Sequence, residues 1–261
     1  MVGVIGGSGF YSLFDKCEER KVETPYGAPS GKIALGKIAG KELAFLPRHN
    51  KDHDYPPHLI NYRANIYALA SLGVNRILTV TAAGSLQAKI KPGDFVVLNQ
   101  FFDRTSGRKD TFFDGPIVTH ISTANPYCPE ISALVYKEGK KLGIKIHKKG
   151  TVVVIQGPRF STTAESLFFT KRGWDIVNMT QYPEIVLARE KGMCYSAIAL
   201  ITDYDSGIVT KEKVDPVKTS EFLKVFKSNN ERALKLLYGI IKNLPTKSCD
   251  CEKVLEGAAV Q

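Results

Sequence analysis

Val2-Gly3-Val4-Ile5-Gly6-Gly7-Ser8-Gly9 opens the chain. A short apolar run that ends in glycines reads as a buried strand. The glycines behind it let successive backbone N–H groups point at one anion, and Ser8 adds a hydroxyl donor. A tight turn with no ligand is the competing reading of so short a loop. The dinucleotide fingerprint fails, because it needs glycine where Ser12 stands. The Walker pattern fails as well, since no Gly-Lys-Ser/Thr follows.

Outward from this strand the chain alternates between two periods. Ile33–Ile38 and Glu42–Leu46 read as strands joined by a turn at Ala39-Gly40-Lys41. Arg76–Thr81, Phe95–Leu98, Thr151–Ile155, Asp175–Met179 and Cys194–Thr202 read as further strands. Ile60–Leu72 reads as a helix ending at Gly73, and Pro129–Leu142 as one opened by Pro-Glu and closed by Gly143. Ser161–Lys171 and Pro183–Lys191 also read as helices, and Asp215-Pro216 caps a long final helix to about Lys242. Strands alternating with helices, with no repeat and no low-complexity linker, predict one α/β domain over residues 1–244. Residues 245–261 read as a C-terminal tail.

A chain of 261 residues, 43% hydrophobic and 24% charged, has the balance of a folded globular protein and not of a disordered one. Apolar runs such as Ala197–Ile201 fall far short of the roughly 20 residues that span a bilayer. With no basic leader at Val2, the expectation is a soluble cytoplasmic protein with no membrane partner. The net charge of +10 suits nucleic acid, an anionic small substrate, or solubility alone. The densest basic stretch, Lys140–Gly150, interleaves lysines with Ile144 and Ile146 and carries no aromatic residue. It reads as a solvated face, not a strand-binding groove, so no nucleic-acid partner is expected.

Five cysteines, an odd number, argue against a secreted disulfide framework. Cys17, Cys128 and Cys194 read as isolated small buried residues. Cys249-Asp250-Cys251 reads as a local disulfide or as half of a metal site. No second Cys/His pair stands at zinc-finger spacing, so no metal is expected.

Several strand ends carry polar side chains suited to an anion and a heterocycle. Arg48-His49 follows Leu46-Pro47 and offers a permanent cation beside a further hydrogen-bonding ring, although such a pair also suits a surface loop. Thr81-Ala82-Ala83-Gly84-Ser85 reads as a turn of small residues whose amides could approach an anion closely. Thr180 gives a third hydroxyl after the strand through Ile176 and Met179. Ligands of open α/β sheets bind at the carboxyl ends of strands, where these groups would converge. Thr202-Asp203-Tyr204-Asp205 puts two carboxylates at the end of an apolar strand, either as a cap or turn or as a pair facing a heterocycle.

Taken in order, Gly6-Gly7-Ser8-Gly9, Arg48-His49, Asn61-Tyr62-Arg63-Ala64-Asn65-Ile66, Gly157-Pro158-Arg159-Phe160-Ser161, Asn178-Met179-Thr180 and Thr202-Asp203-Tyr204-Asp205 resemble the methylthioadenosine phosphorylase family. That family is a branch of the trimeric purine nucleoside phosphorylases. The likeness runs from Val2 to about Leu244. It implies a mixed central β-sheet flanked by helices. It implies a pentosyltransferase that splits 5′-methylthioadenosine with phosphate into adenine and 5-methylthioribose 1-phosphate. A phosphorylase preferring 6-oxopurine nucleosides (methylthioinosine, inosine or guanosine) is the alternative within the same family.

The same resemblance assigns phosphate to Ser8, Arg48, His49, the Thr81-Ala82 turn and Thr180. It sets Met179 under the ribose, and Phe160, Ser161 and His120 around the substrate, His120 reaching in from a neighbouring subunit. Val214 and Val217 would line the 5′-methylthio pocket. Asp203 would protonate N7 as general acid and Asp205 would accept from the 6-amino group. No metal or organic cofactor is implied, because phosphate is itself the co-substrate, and the assembly implied is a homotrimer or homohexamer. Cys249-Asp250-Cys251 also resembles Cys-x-Cys pairs of heat-stable archaeal relatives, which implies an oxidised pair restraining the tail. Asn50-Lys51-Asp52-His53 departs from a glycine more usual after His49, and Gln181-Tyr182 departs from a small and aliphatic pair on the ribose side.

Two other classes fit the residues less well. A nucleotide-binding oxidoreductase would need the complete glycine fingerprint. A nucleic-acid-binding module would rest on the +10 charge alone.

Overall fold

A computed structural model describes residues 1–14, 16–208 and 219–260; the side chains of Ser8, Tyr11, Ser12 and most of residues 219–227 are outside the described set. The first strand, β1 (Val2–Gly6), lies parallel to both β4 (Lys41–Pro47) and β5 (Arg76–Ser85). Outside β4 come β3 (Ile33–Ile38) and the short edge strand β2 (Glu18–Arg20), both antiparallel. On the other side β5 pairs antiparallel with β10 (Ile176–Asn178), which continues through β9 (Thr151–Ile155) to β7 (Gln100–Arg104). A branch leaves β5 through β11 (Cys194–Tyr204) to β6 (Phe95–Val97) and β8 (Ile146–His147). The sheet is therefore mixed, as the family resemblance implied.

Alternation along the central strands sends neighbouring residues to opposite faces. Ile5, Leu46 and Ile77 join one cluster with Ile66 and Leu69 of α1 (Tyr62–Ser71) and Ile185 and Leu187 of α4 (Gln181–Glu190). Val4, Phe45 and Leu78 join the other with Ile131 and Val135 of α2 (Pro129–Lys141) and Leu236, Leu237 and Ile240 of α5 (Thr219–Asn243). Each side chain is essentially closed to solvent, so both faces of the sheet are core.

Local chemistry sets the helix ends. The Asn61 side chain caps α1 by accepting the Ala64 amide at 3.1 Å. Thr162 and Glu165 form a reciprocal capping box at the start of α3 (Thr163–Lys171). Gly143, at φ 69°, lets the chain leave α2 in a left-handed turn. The start read at Asp215-Pro216 lies outside the described residues.

Three sequence readings need correction. Thr81–Ser85 is not a turn but the continuation of β5, paired with β11 and β10. Small residues serve there because strands press on both sides. Gln100–Arg104 is a strand that its polar composition concealed. The cysteines are not isolated: Cys17 is exposed, and Cys128 and Cys194 lie against the tail. The bridge expected between Cys249 and Cys251 is not formed, because all five cysteines are free and Cys249 contacts Cys128 and Cys194.

The tail is docked against the domain. Arg76 Nη1 donates to Pro245 O, and the Ser248 amide donates to Glu130 at 2.9 Å. Thr119 bridges to Ala259, and the His120 amide donates to Ala258 O at 2.8 Å. The lysines of 140–149 are exposed while Ile144 and Ile146 are buried, as expected of a solvated face. No helix among the described residues is long and apolar enough to cross a membrane.

Candidate active site

The carboxyl ends of β1 and β4 and the last turns of β5, β10 and β11 enclose a cavity of about 680 Å³, within the range typical of small-molecule sites. Gly7 from the end of β1 lines it, and so does Arg48, whose amide donates to Gly6 O at 2.9 Å. The Ser8 side chain is not among those described.

Arg48 is the only arginine or lysine among the described lining residues. Its guanidinium is buried and its fork is already engaged. Nε donates to Glu184 Oε2 at 2.8 Å, Nη2 to Glu184 Oε1 at 3.1 Å and to Thr79, and Nη1 to Val80 O at 3.0 Å. Of five N–H donors, one on Nη1 is left for a ligand. Burial alone would lower the Arg48 pKa; Glu184 reverses this and holds it above the ordinary arginine value. The sequence offered Arg48 as a permanent cation for an anion, but its bidentate contact goes to Glu184.

Beside it, Thr81 Oγ1 lies 3.3 Å from Thr180 Oγ1 and accepts from Asn178 Nδ2 at 3.3 Å. Two hydroxyls and an amide thus gather where β5 and β10 meet, and Ala82 lines the same wall. His49 Nδ1 sits 2.8 Å from Tyr55 O, a carbonyl that can only accept, so the imidazole places its proton there and turns Nε2 outward as an acceptor. Burial, aided by the Arg48 charge, pulls its pKa down to about 4, so His49 is neutral near pH 7. His53, from the loop that departs from the family pattern, stacks on it at 4.5 Å.

At Thr202 the register of β11 against β5 shifts, and the next pair is Asp203 with Gly84. This bulge re-aims the strand end, and both Asp203 and Asp205 line the cavity. Asp203 Oδ1 accepts the Thr202 hydroxyl at 2.6 Å. A Cβ on residue 84 would stand 3.1 Å from Asp203 Oδ2 and 3.3 Å from Val177, which is why glycine fits here. Burial pushes the Asp203 pKa up to about 6, against the Thr202 hydrogen bond and with help from the Asp205 charge. Burial also raises Asp205, less the effect of the nearby Ser166 and Ser161 hydroxyls. Asp205 Oδ2 is buried without a hydrogen-bond partner. The cavity therefore holds a carboxyl that keeps its proton to a higher pH than an ordinary aspartate, beside a second whose buried Oδ2 has no hydrogen-bond partner.

Met179, Phe160 and Ser161 line the cavity too, with Phe160 half-exposed at its edge. Arg108 fixes that wall by donating to Met179 O and Gln156 O, each at 2.9 Å. His120 is exposed and lies outside the cavity of its own chain. Val214 and Val217 lie outside the described residues. Gln181 and Tyr182, the departures on the ribose side, do not line the cavity: Gln181 Nε2 donates to the Tyr195 hydroxyl at 2.6 Å and Tyr182 bonds Asp110. Sequence reading missed Glu184, Asn178 and Arg108. Only Asn178, adjacent to Met179-Thr180 at a strand end, carried a local signal.

The family model described as the phosphorylase superfamily matches residues 1–242. The chain belongs to the phosphorylase superfamily. Within it, the chain is 49% identical to the S-methyl-5′-thioadenosine phosphorylase of Thermofilum pendens, over 99% of this chain and 98% of that one. It is 44% identical to the purine nucleoside phosphorylase of Streptomyces coelicolor, over 98% and 94%. The solved methylthioadenosine phosphorylase of Schistosoma mansoni in complex with adenine is 36% identical and superposes with a TM-score of 0.92 over 98% of each chain.

Proposed function

We infer that this phosphorylase cleaves the N-glycosidic bond of 5′-methylthioadenosine with phosphate, giving adenine and 5-methylthioribose 1-phosphate. The observation that carries the reading is the layout along β5. Thr81 stands with Thr180, beside the Arg48 site, and three residues further, about 10 Å along the strand, Gly84 faces Asp203. That separation suits a phosphate held beneath a ribose whose base reaches the aspartates.

The reaction resembles glycoside cleavage through an oxocarbenium-like transition state, with phosphate in place of a carboxylate or water. The last N–H of Arg48, the hydroxyls of Thr81 and Thr180 and the amides near Ala82 hold phosphate, together with Ser8. Neutral His49 offers Nε2 to a hydroxyl of phosphate or ribose. Met179 supports the sugar, and Phe160 and Ser161 close over the substrate. Asp203 gives its proton to N7 as the C1′–N9 bond breaks, so the purine leaves neutral. Asp205 accepts from the 6-amino group, which an oxo group could not supply. For Val214 and Val217, outside the described residues, the 5′-methylthio role rests on the family resemblance alone. No metal or organic cofactor takes part in this scheme, since phosphate is consumed as co-substrate.

The assembly that fits is a homotrimer or a pair of trimers, with His120 reaching a neighbour's cavity. The exposed aromatic surface formed by Phe102, stacked on Trp174 at 4.2 Å, and by Phe168 supports such contacts. Sedimentation at assay concentration should read three or six chains; a fully active monomer would exclude shared sites. Five free thiols suit the reducing cytoplasm.

A panel of methylthioadenosine, methylthioinosine, adenosine and inosine, each with and without phosphate, tests the reading. Methylthioadenosine should have the highest kcat/KM, and only with phosphate. A clear preference for inosine or methylthioinosine would overturn the base assignment.

A further inference from the structure

Four of the five cysteines meet far from the cavity, and the reaction gives them no role. Cys128 is the N-cap of α2, Cys194 is the first residue of β11, and Cys249 and Cys251 belong to the tail. Their four sulfurs nevertheless lie within 4.8 Å of one another. Cys249 Sγ lies 3.2 Å from that of Cys194 and 3.6 Å from that of Cys128. Cys128, Cys194 and Cys251 are buried and Cys249 is half-buried.

A lone buried cysteine is a small apolar residue. Four that converge from three elements form a donor set. Tetrahedral thiolate sites with metal–sulfur bonds of about 2.3 Å set their sulfurs about 3.8 Å apart, within the spread seen here. Four thiolates around a divalent ion keep a net negative charge, and the surroundings answer it. The Arg189 guanidinium stands by Cys251, Lys247 stands by Cys194 and Cys249, and the Ile131 amide in the first turn of α2 faces Cys128. Soft sulfur donors in this number select zinc over hard, oxygen-seeking ions.

We propose that Cys128, Cys194, Cys249 and Cys251 bind one zinc ion in a closed structural site that pins the C-terminal tail to α2 and β11. Only half of this site was legible in the sequence, as the pair at Cys249 and Cys251, because Cys128 and Cys194 stand 66 residues apart and far from that pair. Binding releases the thiol protons to solvent and leaves no open position on the metal. Beyond the site the tail pairs with the loop at Thr119 and His120, so the metal also fixes where that loop lies.

The full chain, expressed with zinc and purified without chelator or added oxidant, provides the test. Elemental analysis and native mass should give one zinc per chain, and the denatured protein should alkylate at all five thiols. Cobalt exchanged into the wild-type chain should show the absorption of a tetrahedral thiolate complex, a readout that needs no variant to fold. Cys249→Ser should weaken zinc at least about tenfold, while exposed Cys17→Ser should leave it unchanged. A chain free of zinc with five alkylatable thiols would overturn the proposal. So would a denatured mass lower by the hydrogens of one or two disulfides.

Discussion

Arg48 and Glu184, 136 residues apart in sequence, join through two hydrogen bonds of 2.8 and 3.1 Å, with Arg48 lining the cavity and Glu184 buried behind it. The Thr79 and Tyr195 hydroxyls donate to the same Glu184 carboxylate at 3.0 and 2.7 Å. The cation of the site is thus aimed from behind, with one N–H left in front.

Glu184→Gln should therefore do two things. Breaking a buried ion pair costs about 3–5 kcal/mol, so the melting temperature should fall markedly. The phosphate KM should also rise, because the guanidinium loses its orientation. Thermal melts and phosphate saturation curves read both; an unchanged phosphate KM in a folded variant would show that Arg48 does not contact the anion.

Asp203 makes the reaction pH-dependent in a defined direction. With a pKa near 6, its acid form is depleted as pH rises above that value, and kcat/KM should fall with it. The stability effect has the same sign. A carboxyl whose folded pKa is raised contributes stability present below the unfolded value of 3.8 and lost as pH rises through about 6. Asp203→Asn cannot ionise, so its gain in melting temperature over wild type should be larger at pH about 8 than at pH about 4. The phosphate ionisation is common to both proteins, and the alkaline limb that differs between their pH profiles belongs to Asp203.

The limits of the sequence follow from which contacts are local. Gly6-Gly7, Arg48 and Asp203 were legible because each ends an apolar run, and strand ends of an open sheet are where ligands bind. Glu184 was not, since nothing beside Pro183-Glu184 shows that Arg48 folds onto it. Ala82-Ala83-Gly84 read as a turn because small residues usually mark turns, whereas here they let β11 and β10 pack against β5. Neutral His49 and the raised pKa of Asp203 depend on burial, which only the assembled cavity supplies.

Gly84→Ala isolates the aspartate's position. The new Cβ would press on Asp203 Oδ2 and Val177 at 3.1 and 3.3 Å, tighter than ordinary contact. Overpacking of this kind costs about 1–3 kcal/mol, and a displaced acid costs turnover. kcat should fall at least about tenfold while the phosphate KM changes little. Steady-state kinetics in both substrates would show it; an equal loss in both parameters would point to general collapse of the cavity.

Base preference follows from the two carboxyls. An ionised Asp205 accepts the 6-amino hydrogen and repels a 6-oxo group, while an amide at 203 can serve an oxopurine. Asp203→Asn should lower turnover of methylthioadenosine and shift the ratio of kcat/KM values toward methylthioinosine by about 1–3 kcal/mol, roughly 5- to 150-fold. Competition between the two nucleosides in one reaction measures that ratio directly.

The most direct measurement follows phosphate itself. With methylthioadenosine as substrate, phosphorus NMR and adenine absorbance can be recorded on the same sample. One inorganic phosphate should disappear, and one sugar 1-phosphate appear, for every adenine released. Adenine released without loss of inorganic phosphate would make the chain a hydrolase and contradict a phosphate site built on Arg48, Thr81 and Thr180.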